Sequence, residues 1–403
     1  VRRVLPVLLA ALAAGPWLYL RLIGFHGSPA LQASLSGAAV LGAAFLLSWA
    51  AELARLDISD ALAVALLSFV AVLPEYAVDI YFAWQAGKDP AYAPYAVANM
   101  TGANRLLIGV GWTSVVLVHR WRTRGRILRL AGRERLELGA LTLATLYAAV
   151  IPFKGRLSLL DTAVLFLLFV LYIRSASVRR AGEPKLIGPA AAMALLPPTS
   201  RRLVAAFLFA FAGGTILLSA EGFSEGLVRT GRLLGVDEFF LVQWLAPLAS
   251  EAPEFIIALL FALQGRANLG LRTMISSKVN QWTLLVGMLP LAFAVSSGNL
   301  GAMPLDSRQV SEILLTMAQS FFAMVILARL EFPVWAALAL FGLFSAQFTL
   351  PALHPSFTGL YFFLAFALLL YDPDRARALG RAMDDLTVRD HPAQRAGPGS
   401  RKR

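Results

Sequence analysis

The sequence predicts an all-α polytopic membrane protein of about 12 helices that contains an inverted repeat. Three observations point there. First, 58% of the 403 residues are hydrophobic and only 15% charged, against about 25% charged in soluble domains. Mean hydropathy is +0.68. Second, apolar runs of about 20 residues recur along the chain, the length that crosses a bilayer as a helix. A barrel would instead show short alternating segments. Third, "AVLPEYAVDIYFAWQ" (71–85) is nearly repeated as "SEAPEFIIALLFALQ" (250–264).

The apolar segments fall at about 4–20, 29–52, 60–84, 93–118, 136–152, 157–173, 203–226, 239–263, 270–295, 309–328, 332–350 and 355–371. The bases choose the sides. They gather in "HRWRTRGRILRLAGRER" (119–135), "RSASVRR" (174–180) and the tail ending "GPGSRKR", whereas "GKDPAYAP" and "SSGNLGAMPLDS" carry few. The positive-inside rule then puts both termini in the cytoplasm, which suits a multi-pass protein of the plasma membrane. The organisation expected is an extra helix within 1–28, a first repeat over 29–173, a linker at 174–202, a second repeat over 203–350, an extra helix at 351–371 and a polar tail at 372–403. The tail, rich in Arg and Asp, reads as poorly ordered. Arg2, Arg3 and "VLPVLLAALAAG" also fit a signal peptide; the alternation of loops favours a retained helix.

A formal charge of +12 suggests nucleic acid, but bases confined to loops and ends argue against that partner. The partners implied are the lipid bilayer and small inorganic cations, and a monomer suffices. Without cysteine there is no disulfide framework or thiolate chemistry. A zinc or serine intramembrane protease would need motifs that the repeats lack, so no enzyme is expected.

At an offset of 179, Pro74, Glu75, Phe82, Ala83 and Gln85 align with Pro253, Glu254, Phe261, Ala262 and Gln264. Three residues are lost in the next loop, and at an offset of 176 Asn104 meets Asn280 and Val110-Gly111 meets Val286-Gly287. Each copy is a helix with a mid-span Pro-Glu, a short loop, and a helix with a mid-span Asn. The copies enter the membrane from opposite sides. Inverted pairs of interrupted helices meeting at the midplane are how secondary transporters build a substrate site. Proline frees a backbone carbonyl one turn earlier, and an acid at mid-membrane costs roughly 2.5–3.5 kcal/mol unless a counter-charge meets it. A transported cation is such a counter-charge; a salt bridge locking two helices is the competing account.

These segments resemble the alpha-repeats of the sodium/calcium exchanger family, in the cation/calcium antiporter superfamily. Each repeat there reads approximately Gly-Thr-Ser-x-Pro-Glu on one helix and Gly-Ser-Asn-x-x-Asn/Asp on the next. The resemblance implies two five-helix halves and a central site of carboxylates, hydroxyls and backbone carbonyls. It also implies exchange of sodium for calcium by alternating access, with helices 29–52 and 203–226 as sliding gates. No cofactor is implied beyond the transported Ca2+, Na+ or H+. Glu75 and Glu254 carry over as the central cation and metal ligands. Elsewhere the chain departs: Thr-Ser becomes Ala71-Val72 and Ser250-Glu251, Gly-Ser-Asn becomes Gly102-Ala103-Asn104 and Lys278-Val279-Asn280, and the last ligand position holds Leu107 and Thr283.

The cation-binding candidates are therefore Glu75, Asp79, Glu251, Glu254, Ser250, Asn104 and Asn280, with Lys278 and Arg105 as charge-modulating bases. Asp79 lies one turn beyond Glu75 on the same face. Asn99 and Thr101 are further oxygen donors. Lys278 and Arg105 either enter the ion path or bridge to Asp79 or Glu251 away from it. Calcium favours 6–8 oxygens, so their loss raises a monovalent cation/proton antiporter as an alternative to a calcium exchanger, and a transport-inactive scaffold as another. Glu221 and Glu225 read as an outer vestibule or a solvated helix end, and Glu52, Asp57, Asp60 and Asp161 as caps and interfacial charges. Trp84, Trp112, Trp244 and Trp282 read as belt or packing residues. With no histidine in either alpha-repeat (about 60–118 and 239–295), a proton relay falls to carboxylates.

Overall fold

The computed structural model describes residues 5–24, 27–58, 72–178, 186 and 188–387. Residues 59–71, which include Asp60, Ala71 and the first part of the 60–84 segment, lie outside the described residues, as do Arg2, Arg3 and 388–403. The helices are α1 (Leu5–Leu22), α2 (Pro29–Ala54), α3 (Leu73–Ala86), α4 (Pro90–Thr123), α5 (Arg135–Lys154) and α6 (Leu159–Val178). A single turn at Gly188–Met193 precedes α7 (Pro198–Leu234), α8 (Glu238–Leu263), α9 (Ala267–Ser297), α10 (Ser307–Leu327), α11 (Val334–Thr349), α12 (His354–Tyr371) and α13 (Asp374–Thr387). Among the described residues 10 of these are long and apolar enough to cross a membrane.

Local chemistry sets the ends. Ser28 caps α2 through the Leu31 amide, Asp237 caps α8 through Phe239, and Asp306 caps α10 through Gln309, each side-chain oxygen meeting an otherwise orphan donor. Asp161 reaches back over the first turn of α6, where the Ser158 amide and hydroxyl both donate to its carboxylate at 2.7 and 2.8 Å. Gly235 ends α7 at φ 66°, a conformation that suits glycine.

Two short antiparallel pairs make the inversion visible. β1 (Ile127–Arg129), beyond α4, pairs with β4 (Glu331–Pro333), beyond α10; β2 (Arg156–Leu157), beyond α5, pairs with β3 (Met303–Pro304), beyond α9. An offset of 175 carries Leu128 onto Met303 and Leu157 onto Phe332, so the pair Leu128/Phe332 becomes Met303/Leu157. Because α5 spans the layer between β1 and β2, the two pairs cap opposite sides. The repeats are thus upside-down copies, down to strand register.

The long helices α2 and α7 lie against each other, with α1 seated on both. The Ala10 carbonyl fills the notch at Gly42 and the Trp17 ring the notch at Gly222. Beyond α2, Asp57 accepts both Nε and Nη2 of Arg201 at 2.8 Å and Nε of Arg202 at 2.9 Å. The Arg201 hydrogen bonds hold the Asp57 carboxyl down at a pKa of about 2.

The structure corrects two expectations. Pro74 stands in the first turn of α3, next to residues outside the described set, and α8 runs unbroken through Pro247 and Pro253, so the second Pro-Glu dyad does not interrupt its helix in the way the sequence implied. The irregularity sits on the partner helices, where π-turns at Leu107–Trp112 and Gln281–Leu285 follow Asn104 and Asn280; such bulges favour functional sites. Residues 374–387 of the tail form α13, whose Leu379, Ala382 and Leu386 are buried against α5, with the Ala382 carbonyl in the notch at Gly139. Its apolar stripe was masked by the high local charge. Of the four tryptophans read as belt or packing residues, Trp112, Trp244 and Trp282 are buried and Trp84 is exposed.

Pro247 leaves the Gln243 carbonyl without an intrahelical donor, and that oxygen packs against Gly102 of α4. A Cβ at Gly102 would stand 1.8 Å from it, so Gly102→Ala must push α4 and α8 apart. We expect a loss of about 1–3 kcal/mol, read as a lower thermal unfolding temperature. Gly214→Ala, with nothing within 4 Å of the added methyl, should be neutral or slightly stabilising. For Asp57, a depressed folded-state value means that its link is fully present above the ordinary aspartate range and is lost as pH falls through about 2. The unfolding-temperature gap between the unaltered chain and Asp57→Asn should therefore hold from neutral pH to the aspartate range and close only near that value.

Candidate cation site

The site lies where α3 and α4 of the first repeat meet α8 and α9 of the second. α3 presents Glu75 and Asp79, and α8 presents Ser250, Glu251 and Glu254, all buried. Neither Glu75 oxygen has a hydrogen-bond partner, and Asp79, Glu251 and Glu254 each leave one oxygen unpartnered. Asp79 accepts from Asn99 Nδ2 at 2.8 Å, and Glu251 from Gln281 Nε2 at 3.1 Å. Gln281 also approaches Glu75, and Ser277 approaches Glu254, without closing a hydrogen bond to either. Glu75 feels the charge of Glu251 most strongly, then those of Asp79 and Glu254. Acids of both repeats thus share one buried region. Among the described residues, however, no three acidic or histidine side chains are drawn tightly enough together to enclose a metal ion.

The two asparagines are engaged by protein donors. Asn104 Oδ1 accepts from Lys278 Nζ at 2.7 Å, while its Nδ2 donates to the Met100 carbonyl at 2.8 Å. Asn280 Oδ1 accepts from the Tyr76 hydroxyl at 2.8 Å. Ser250 donates back to the Ala246 carbonyl at 3.1 Å, as serine does within a helix; Thr101 does the same to Val97 at 2.7 Å.

The bridges considered for the two bases, to Asp79 or Glu251, do not form. Arg105 pairs with Glu312 of α10 at 2.5 Å and lies 5.2 Å from the centre of the Trp244 ring. Gln243 Nε2 joins the same carboxylate at 2.8 Å and His354 Nδ1 lies 2.7 Å from its other oxygen, with His354 Nε2 3.0 Å from the Gln347 carbonyl. This network is buried throughout and ties α4, α8, α10, α11 and α12 together. Sequence reasoning missed it. Glu312, Gln319 and Gln347 are polar positions inside apolar segments, the signal that intramembrane acids provide, but of this network only Arg105 falls in the paired motifs.

A cavity of about 430 Å³ runs between α3 and α7 from Lys88 and Glu221 to Tyr76 and Leu73. Tyr76 therefore touches both the cavity and, through Asn280, the site. Glu221 lines this vestibule and pairs with Arg21 at 3.1 Å. Glu225 is not a free helix-end charge: it accepts from Tyr81 at 3.0 Å and Tyr92 at 2.6 Å.

Inverted helical repeats that bury unpaired carboxylates at their meeting point define a secondary transporter. The chain belongs to the sodium/calcium exchanger protein family, whose model matches residues 30–177 and 204–371. It is thus a membrane transporter that uses no cofactor, and not an enzyme. Among solved structures, one of the H+/Ca2+ exchanger CAX is 41% identical, with a TM-score of 0.90 over 96% of this chain and 99% of that one. The sodium-calcium exchanger NCX_Mj, at 16% identity, matches 80% of this chain and 98% of its own with a TM-score of 0.54; native YfkE, at 14%, matches 89% and 99% with 0.60. The last two share the fold. Comparison with curated protein sequences gives no significant match.

Removing one member of a buried ion pair strands the other. Arg105→Met or Glu312→Leu should each cost about 3–5 kcal/mol, and the double variant much less than their sum. Thermal unfolding of the three purified variants checks this.

Proposed function

We propose that this chain exchanges calcium for protons by alternating access, with Glu75 and Glu254 as the central ligands and Glu251 and Asp79 as supporting acids. The observation that carries the reading is the set of buried carboxylate oxygens left without donors, supplied by both repeats. A buried carboxylate needs a proton, a base or a cation. Arg105 is already matched by Glu312. Protons and a divalent cation then compete for the same oxygens, and that competition is the exchange. Identity of 41% to an H+/Ca2+ exchanger over 96% of the chain supports calcium and protons as the pair.

In this reading Glu75 and Glu254 hold the ion from opposite sides, and a modest approach of α3 and α8 completes its oxygen shell, since calcium takes 6–8 oxygens. Asn99 and Gln281 hold Asp79 and Glu251 in place and leave one oxygen of each for the ion. The Tyr76 hydroxyl stands between vestibule and site. α2 and α7 slide together across the remaining helices as the gate, and the unit boundaries at 29–173 and 203–350 mark the two inverted halves. In this reading the base-rich loops are cytoplasmic, with α13 and both termini on the same side, and the vestibule beside Lys88 and Glu221 faces outward. The membrane assigned is the plasma membrane, and a single copy would hold a whole site.

The test is radiotracer calcium uptake into vesicles holding the purified chain. An imposed pH gradient should drive uptake, with alkalinisation of the proton-loaded side, while Glu75→Gln and Glu254→Gln each reduce it to the protein-free background. Undiminished uptake in both variants, or uptake indifferent to the pH gradient, would contradict the reading.

A further inference from the structure

Lys278 is the one fully buried base that no carboxylate pairs among the described residues. It is 1% exposed and makes none of the ion pairs found within 4.0 Å, yet the fields of Glu251 and Glu75 both reach it. Its ammonium is held by oxygens and a ring: 2.7 Å from Asn104 Oδ1, 3.2 Å from the Asn104 carbonyl, and 4.7 Å from the centre of Trp282. Carbonyl oxygens and an aromatic face are the surroundings that suit a monovalent cation.

The matching position of the first repeat is Gly102, 176 residues earlier. No side chain fits there, because the Gln243 carbonyl fills the space. The built-in charge therefore enters from one repeat only. The equivalent amide oxygen, on Asn280, is taken by a neutral donor, the Tyr76 hydroxyl at 2.8 Å. With both asparagine oxygens engaged by the protein, the oxygens left open are carboxylate oxygens, which suit a divalent ion or protons.

We propose that Lys278 is a resident cation of the transport site, holding the Asn104 oxygens that a sodium ion would otherwise take, so that exchange runs with no sodium bound. This rests on the calcium/proton reading above and names what sets its ion selectivity. Lys278 is a specificity-determining residue: it does not hold calcium, and it denies a monovalent competitor its place.

The test is calcium binding to the purified full chain by equilibrium dialysis, with sodium chloride exchanged for N-methylglucamine chloride at equal ionic strength. For the unaltered chain, sodium should change the calcium Kd by less than about twofold, whereas for Lys278→Gln it should weaken binding by about tenfold or more, as expected when sodium gains a site among like acids. In Lys278→Met/Asn104→Leu, which loses both the ammonium and the side-chain oxygen, the sodium effect should disappear again. A Lys278→Gln protein that binds calcium and ignores sodium overturns the proposal and leaves the exchange reading standing. No calcium binding by the unaltered chain overturns both. If Lys278→Gln does not elute as a single species, sodium on the unaltered chain decides: a tenfold loss of calcium affinity overturns the proposal, and indifference supports it.

Discussion

A carboxylate inside a bilayer must be neutralised, and the surroundings of Glu75 follow from that demand. α3 and α8 bring Glu75, Asp79, Glu251 and Glu254 into one buried region at a cost of several kcal/mol for each uncompensated charge. Nothing in the packing requires acids there; leucine would serve the core better. What the arrangement needs is a partner that comes and goes. The inverted repeats supply it geometrically, because two copies of a helix pair entering from opposite sides place matching acids on either side of the midplane.

The two buried polar centres of the molecule show how differently the same residue types behave. Around Glu312, both carboxylate oxygens are met: Arg105, Gln243 and His354 converge on them, and with Gln347 behind His354 five helices are pinned together. Around Glu75, oxygens are left bare. A satisfied network holds a structure, while an unsatisfied one calls for a ligand or a proton. The pseudo-symmetry is broken where this difference is made. The position of Gln281 corresponds to that of Arg105, 176 residues earlier, and one serves the site while the other serves the network. Gly102 and Lys278 likewise correspond, one admitting a neighbour's carbonyl and the other delivering an ammonium.

The helices, the inversion and the acids of the Pro-Glu segments were legible in the sequence because each has a simple physical signature. Apolar run length gives the spans, and Pro-Glu at matched positions gives the repeat. The π-turns after Asn104 and Asn280 were not legible, since no residue type demands them. The helical continuity of α8 through Pro247 and Pro253 was misread because proline in a membrane helix can be accommodated by a neighbouring chain, here at Gly102. Glu312 and His354 stood outside the repeated motif, and their pairing depends on α10 and α12 coming together, which spacing alone does not reveal. α13 was hidden because its three buried apolar residues are scattered among arginines and aspartates.

The central claim is that carboxylates from both repeats close on one calcium ion. A crystal structure of the purified chain grown with calcium, using the anomalous signal to locate the ion, tests it most directly. The account predicts a single strong peak with oxygens of both Glu75 and Glu254 at about 2.3–2.6 Å and Lys278 still on Asn104. A peak bound by one repeat alone, or calcium found only in the vestibule beside Glu221, would contradict it.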